Sequence, residues 1–369
     1  MDPSLLNPRN LRLFSSAPSA DKSPPSQSVD LRHLRINRLS PICGPNRSPN
    51  LRITVPIALI TGITGQDGSY LAEFLLAQGY DVHGTSRSAQ DAATHANLAL
   101  CTGRLRLHSL EISDTVGITS LIRGTSFDEI YHLAAQTHVP RSFEDPLGTC
   151  QTNVMGTVAL LEAIRTFQPR ARLFHASSSL VFGQPDHAPQ DESTPFRPEN
   201  PYAASKAMAA QLVSIYRKAH SLFAVNGLCY NHESPRRGTD FVTGKICRAA
   251  ARIRGGSRDP LVLGAIDAQR DWGDARQFIK GFHASLQTQV PSDYIFATGK
   301  LHTVQDVLAA AFSAVDLDWK EWVRHDPALL RPSEPRALVG DPSHAAKTLS
   351  WKDTTHLPVL IREMTLSLR

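Results

Sequence analysis

Beyond residue 52 the chain alternates between two kinds of apolar pattern. Ile53–Thr61 is an almost unbroken aliphatic and β-branched run, as expected of a strand buried on both faces of a parallel sheet. Three glycines, Gly62, Gly65 and Gly68, punctuate the chain immediately after it, and Ser69–Gln78 then places apolar residues at helical spacing. "YDVHGTSR" reads as the next strand. Further strands are expected in "RLRLHSLEISD", "FDEIYHLAAQTHVPRSFEDP" and "RLFHASSSLVFG", with an amphipathic helix in "NVMGTVALLEAIRTF" between the last two. Repeated strand–helix units predict an α/β fold, a doubly wound parallel sheet of Rossmann type with ligands at the carboxyl ends of its strands.

The first 55 or so residues do not share this pattern. They are rich in Pro, Ser, Asn and Arg, poor in acids, and show no sustained periodicity. Such a segment buries too little apolar surface to offset its ordering entropy, so residues 1–55 are expected to be a disordered extension. An organelle-targeting peptide and a tail without a role both fit that composition, which lacks the apolar centre of a secretory signal. The cytoplasm is the favoured location. No apolar run in the 369 residues reaches the roughly 18 needed to cross a bilayer. A net charge of +5 is scattered and partly carried by the extension, so no nucleic-acid or membrane partner is expected. The five cysteines, widely separated and odd in number, match neither a metal-binding nor a disulfide pattern, and no metal is expected.

The glycine turn carries the first candidate chemistry. GxxGxxG between a strand and a helix lets backbone N–H groups approach a pyrophosphate at the helix N-terminus, with Gln66 and Asp67 at the same turn. The second strand ends without the acid that would hold a ribose 2′-hydroxyl. Arg87 stands there instead, which favours a 2′-phosphate and hence NADP over NAD; a solvated arginine is the alternative. The second cluster is "NPYAASKAMAAQLVSIYRKA", where Tyr202 and Lys206 are one helical turn apart on one face. A phenol is a poor base near neutral pH, and a neighbouring ammonium stabilises its phenolate. Ser178, at the end of the hydroxyl-rich strand, would orient a carbinol while Tyr202 takes its proton and hydride leaves for a nicotinamide.

With these residues in place, the chain from about Pro56 onward resembles the GDP-mannose 4,6-dehydratase family of extended short-chain dehydrogenases/reductases. The matching stretches include "ALITGITGQDGSYLAEFLLAQGYDVHG", "YHLAAQTHV", "TPFRPENPYAASK", "NHESPRRGTDFVTGKI", "LGAIDAQRDWGDA" and "RPSEPRALVGDPSHA". The resemblance implies that residues 56–230 form mainly the NADP-binding domain. Residues 231–369 would form mainly a smaller subdomain for a GDP-sugar, with some chain interleaved back into the first. It implies further that Glu111 lies beside the adenine, and that Ser179, Asn231, Lys245, Arg270, Arg331 and Glu334 contact the nucleotide-sugar. A homo-oligomer, dimer or tetramer, is the implied assembly.

The resemblance also carries its own discrepancy. In the family the hydroxyl strand ends in Thr-Ser-Glu, and that glutamate removes the C5 proton so that water can leave from C6. Here the corresponding residues are Ser178, Ser179 and Leu180, and Leu180 cannot accept a proton. Gly244 and Ala265 depart from an arginine and an asparagine, and Ser88 from a second arginine. The expected activity is conversion of GDP-mannose to the 4-keto-6-deoxy sugar. A GDP-hexose 4-epimerase or 4-ketoreductase, which needs Ser178, Tyr202 and Lys206 but no C5 base, is the alternative, and a non-catalytic nucleotide-binding relative the third reading.

Overall fold

The computed structural model describes residues 55–329 and 337–368. The segment expected to be a disordered extension lies almost wholly outside them. Seven strands form one sheet: β1 (Ile57–Thr61), β2 (Asp81–Ser86), β3 (Leu105–Ser109), β4 (Glu129–His132), β5 (Arg172–Ser178), β6 (Ala224–Cys229) and β7 (Asp293–Phe296). Their order is β7-β6-β5-β4-β1-β2-β3, and every neighbouring pair is parallel. The order reverses between β1 and β4, where a doubly wound sheet opens a crevice at its strand ends. Among the described residues the first strand opens at Ile57, directly after Pro56, which cannot donate to the ladder.

Alternation along the strands separates two packed faces. Ile60, Tyr131, Phe174 and Phe296 turn toward α1 (Gln66–Ala77) and α6 (Ala275–Leu286), against Leu71, Leu75, Phe278 and Phe282. Their neighbours Leu59, Ile130 and Leu173 face α2 (Thr115–Gly124), α3 (Gly156–Phe167) and α4 (Pro201–His220), against Ile118, Ile122, Leu160, Ile164 and Val213. With both faces covered, β4 and β6 are buried at every position.

A third apolar cluster gathers α5 (Val242–Arg254), α7 (Val304–Ser313) and α8 (Leu357–Leu366) around Trp272, Phe312 and Ile361. Beside it run two short ribbons. Asn231–Glu233 pairs parallel with Trp272–Asp274, and Gln269–Arg270 lies between His302–Thr303 and Ala337–Leu338. The chain thus leaves the large sheet after β6 to form α5, returns through α6 and β7, and leaves again to complete the cluster with α7 and α8.

Candidate active site

The glycine turn lies at the reversal point of the sheet. Gly62 has φ +71°, and a Cβ there would stand 2.9 Å from the Cα of Ala134, on the chain leaving β4. A Cβ on Gly68 would meet the Gly62 carbonyl at 2.5 Å, so α1 packs directly onto the turn that precedes it. Gly65 precedes α1 and supplies no side-chain cap, which leaves first-turn N–H groups for an anion. Asp67 would oppose such an anion were it not engaged. Its Oδ2 lies 2.8 Å from His232 Nε2, while His232 Nδ1 donates to the Tyr230 carbonyl at 2.7 Å. Burial on its own would lower the His232 pKa, but the Asp67 carboxylate outweighs it and the imidazole is raised above its usual value. Burial likewise pushes Asp67 up, and His232 more than compensates, leaving the carboxyl below its ordinary range. The pair is an imidazolium–carboxylate, stacked on Phe278 with ring centroids 4.5 Å apart.

The same segment grips α1 at several further points. Gln66 donates to the His232 carbonyl at 3.0 Å and accepts from Ser234 Oγ at 2.8 Å. Arg236 donates to Ser69 Oγ at 3.0 Å, pairs with Glu73, and lies 3.9 Å over the Tyr70 ring. Gln66 and Asp67, expected at the cofactor turn from sequence, therefore also tie that turn to the "NHESPRRG" stretch.

Tyr202 and Lys206 lie on α4, whose N-terminus is capped by Asn200 accepting from Ala203 N at 2.8 Å. Burial pushes the Tyr202 phenol up to about 12, against a hydrogen bond from Ser178 and the nearby Arg237 guanidinium, which both lower it. The Lys206 ammonium turns back to donate to the Ala176 carbonyl at 2.8 Å, and burial holds its pKa down to about 8. The sequence placed the burden of stabilising a phenolate on Lys206. Ser178 and Arg237 both act to lower the phenol here, while the Lys206 ammonium is turned to the Ala176 carbonyl. Arg237, held by Glu233 at 2.9 Å and stacked 3.7 Å over Phe241, was not singled out from sequence. Nor was Cys229, the register partner of Ser178 at the end of β6, whose buried thiol is raised far above its usual pKa.

Ser178 Oγ accepts from Leu180 N at 3.3 Å and so starts the single turn Ser179–Phe182. Ser179 is buried in it. The Leu180 side chain is partly buried against a small apolar cluster that includes Val181, Phe182, Leu228 and Tyr230. Arg87 and Glu111 follow β2 and β3 and are both exposed. β2 lies three strand positions from β5, roughly 14 Å across the sheet, a separation suited to the two ends of a dinucleotide. Asn231 opens the short ribbon just beyond β6. Lys245 is exposed on α5 and donates to the Val262 carbonyl at 2.8 Å, while the buried Arg270 donates to the Gln269 carbonyl at 2.7 Å. Arg331 and Glu334 lie outside the described residues. The departure at Gly244 has a local reason: a Cβ there would stand 2.3 Å from the Gly238 carbonyl, so the start of α5 has closed against the preceding loop.

Residues 59–364 match the family model described as GDP-mannose 4,6 dehydratase. The chain is 42% identical over 323 residues to GDP-mannose 4,6 dehydratase 2 of Arabidopsis thaliana, covering 84% of this chain and 85% of that protein. It is 39% identical over 334 residues to the human GDP-mannose 4,6 dehydratase, covering 84% and 90% of the two. Among solved structures, the UDP-glucose 4-epimerase of Thermus thermophilus in complex with NAD superimposes with a TM-score of 0.75 at 26% identity, over 85% of this chain and 99% of that one. The dTDP-glucose 4,6-dehydratase of Bacillus anthracis shares the fold, with a TM-score of 0.73 at 19% identity over 85% and 96%. A glycine turn at the sheet's reversal point and a tyrosine–lysine helix beside a hydroxyl strand accompany this match, and the chain belongs to the GDP-mannose 4,6-dehydratase family.

Proposed function

We propose that this protein is an NADP-dependent GDP-mannose 4,6-dehydratase, working through Ser178, Tyr202 and Lys206. The family match over residues 59–364, with Ser178 at the carboxyl end of β5 and Tyr202 and Lys206 on the helix packed against that strand, carries the reading. Gly62, Gly65, Gln66, Asp67 and Gly68 would hold the pyrophosphate, and the neutralisation of Asp67 by His232 makes that N-terminus compatible with an anion. Arg87 and Glu111 would meet the adenosine phosphate end. Ser179, Asn231, Lys245 and Arg270 would hold the GDP-sugar, with Arg331 and Glu334 assigned to the same task by resemblance. On this assignment residues 56–230 bind mainly cofactor and 231–369 mainly substrate.

NADP, when bound, accepts hydride from sugar C4 and returns it to C6. The protein's part is to take and hold protons. Tyr202 receives the C4 hydroxyl proton, Ser178 orients that hydroxyl, and Lys206 and Arg237 supply the positive charge that makes a phenolate tolerable in a buried site. Elimination of water across C5 and C6 needs a base, and Leu180 offers none.

Incubation of GDP-mannose and NADP with the protein should give a product lighter by one water on mass spectrometry, and Tyr202→Phe should slow its formation by about 10²–10⁴-fold. Leu180, which offers no carboxylate for the C5 proton, favours a second reading, a GDP-hexose 4-epimerase. A product of unchanged mass but altered chromatographic position would establish that reading and sink the first. No helix among the described residues is long and apolar enough to cross a membrane, and we place the protein in the cytoplasm. Exposed Phe143, Leu147, Met155, Met208 and Ile215, on helical segments that pack around α4, suit burial against a second copy. Light scattering should return a dimer or larger, and charging Leu147 and Met208 should return a monomer.

A further inference from the structure

A row of polar side chains crosses the buried sheet beneath Lys206. Thr61, His132, His175, Asn226 and Asp293 are successive register partners on β1, β4, β5, β6 and β7. Its hydrogen bonds assign the protons. Thr61 Oγ1 accepts from the backbone N–H of Leu133 and of Ala134, both at 3.1 Å, so its own hydrogen goes to His132 Nδ1 at 2.9 Å. His132 Nε2 then donates to Thr157 Oγ1 at 3.1 Å, whose hydrogen goes to the Asn153 carbonyl at 2.7 Å. On the other side, the Asn226 amide nitrogen faces only acceptors: the Ala210 carbonyl at 3.0 Å, Ser214 Oγ at 3.2 Å and Asp293 Oδ1 at 3.0 Å. Its oxygen must therefore accept from His175 Nδ1, at 2.9 Å. His175 Nε2 is left as a bare lone pair, fully buried and without a protein partner.

Two residues along the same strand face, Ser177 Oγ is also buried and has no protein partner. Both lie on the side of β5 covered by α4, where Lys206 Nζ donates to Ala176, the residue between them. An ammonium has three hydrogens to give. An acceptor lone pair, a hydroxyl and a multiple donor on one buried side of β5 match the three or so hydrogen bonds by which a buried water is held.

We propose that His175 Nε2, Ser177 Oγ and Lys206 Nζ form an internal water site, and that His175 is a positioning residue that acts through this water to keep Lys206 protonated. The inference rests on the assignment of Tyr202 and Lys206 as the reacting pair, whichever product forms. The titratable groups that interact with the Lys206 charge are Cys229 on β6, His132 on β4 and His175 on β5, and Tyr202 lies one turn away on its own helix. Both histidines are neutral, because burial and then the nearby charges, Lys206 among them, hold their pKa values down. His175 therefore faces the ammonium as an acceptor and not as a second cation. A lysine already lowered to about 8 by burial would lose its proton still earlier without that acceptor.

The test is the pH profile of GDP-sugar turnover in His175→Leu, His175→Gln and Lys206→Met. His175→Leu should move the alkaline limb of kcat down by about one pH unit, roughly a tenfold loss at a pH just above the limb, with KM for GDP-mannose unchanged. His175→Gln, whose amide oxygen can accept, should restore it. An unmoved limb in His175→Leu, with Lys206→Met inactive, overturns the proposal and leaves the reacting pair standing. Full activity in Lys206→Met would overturn both. A high-resolution crystal structure of the wild-type protein gives an answer that does not depend on the variants folding. Density for a water within hydrogen-bond distance of all three atoms supports the site, and its absence overturns it.

Discussion

A Leu180→Glu variant is expected to dehydrate GDP-mannose about 10²–10⁴-fold faster than the wild-type protein, the range a positioned general base contributes. Leu180 follows Ser178 by two residues on the turn that leaves β5, the position at which the family's hydroxyl strand carries its glutamate. The C4 ketone acidifies the C5 hydrogen, but without an acceptor in place the elimination depends on water or on the Tyr202 phenolate. The side chain is partly buried against the apolar cluster of Val181, Phe182, Leu228 and Tyr230, so the exchange should cost about 1–3 kcal/mol of stability. Thermal denaturation should therefore move down while activity moves up, and Leu180→Gln should lose stability without gaining rate. A Leu180→Glu protein that is folded and no faster would show that the C5 proton leaves by another route.

Acid should weaken the fold steeply. His132 and His175 are neutral when folded, held below their ordinary pKa by burial and then by neighbouring charge, His175 at about 3. In the unfolded chain both titrate near 6.5. Below that pH the unfolded state takes up two protons that the folded state refuses, so stability falls as pH falls. Each histidine contributes up to ~1.4 kcal/mol per pH unit. Urea denaturation from about pH 6.5 down to about 4.5 should show a loss of about 5 kcal/mol from the pair, enough to unfold a domain of ordinary stability. His232 does not offset this. Its folded pKa is raised, so its contribution is fully present below 6.5 and is lost only as pH rises through the folded value. A double His132→Asn, His175→Gln variant should flatten the acid slope, and a slope unchanged in that variant would assign it to other groups.

Much of this protein was legible residue by residue, because the features concerned are local. Apolar runs against helical spacing separate β1 from α1, and the glycines between them mark a turn that Gly62, with its positive φ and its contact with Ala134, cannot make with a side chain. Tyr202 and Lys206 share a helix face through spacing alone. The absence of an acid at Leu180 is likewise a fact of sequence, independent of how the chain packs. What the sequence could not decide are meetings between distant segments. Nothing near Asp67 announces His232, 165 residues away, and without that pairing a carboxylate at the head of α1 argues against an anion site. Nothing in "SPRRG" distinguishes Arg237, which pairs with Glu233 and lends its charge to the Tyr202 phenol, from Arg236, which clamps α1. The histidines of "IYHLAAQ" and "LFHASSS" read as ordinary strand residues until parallel pairing sets them side by side. Periodicity fixes which face of its own strand or helix a residue occupies. The register and packing of the whole sheet decide what it meets there, and at this site that is where the charges are balanced and the protons assigned.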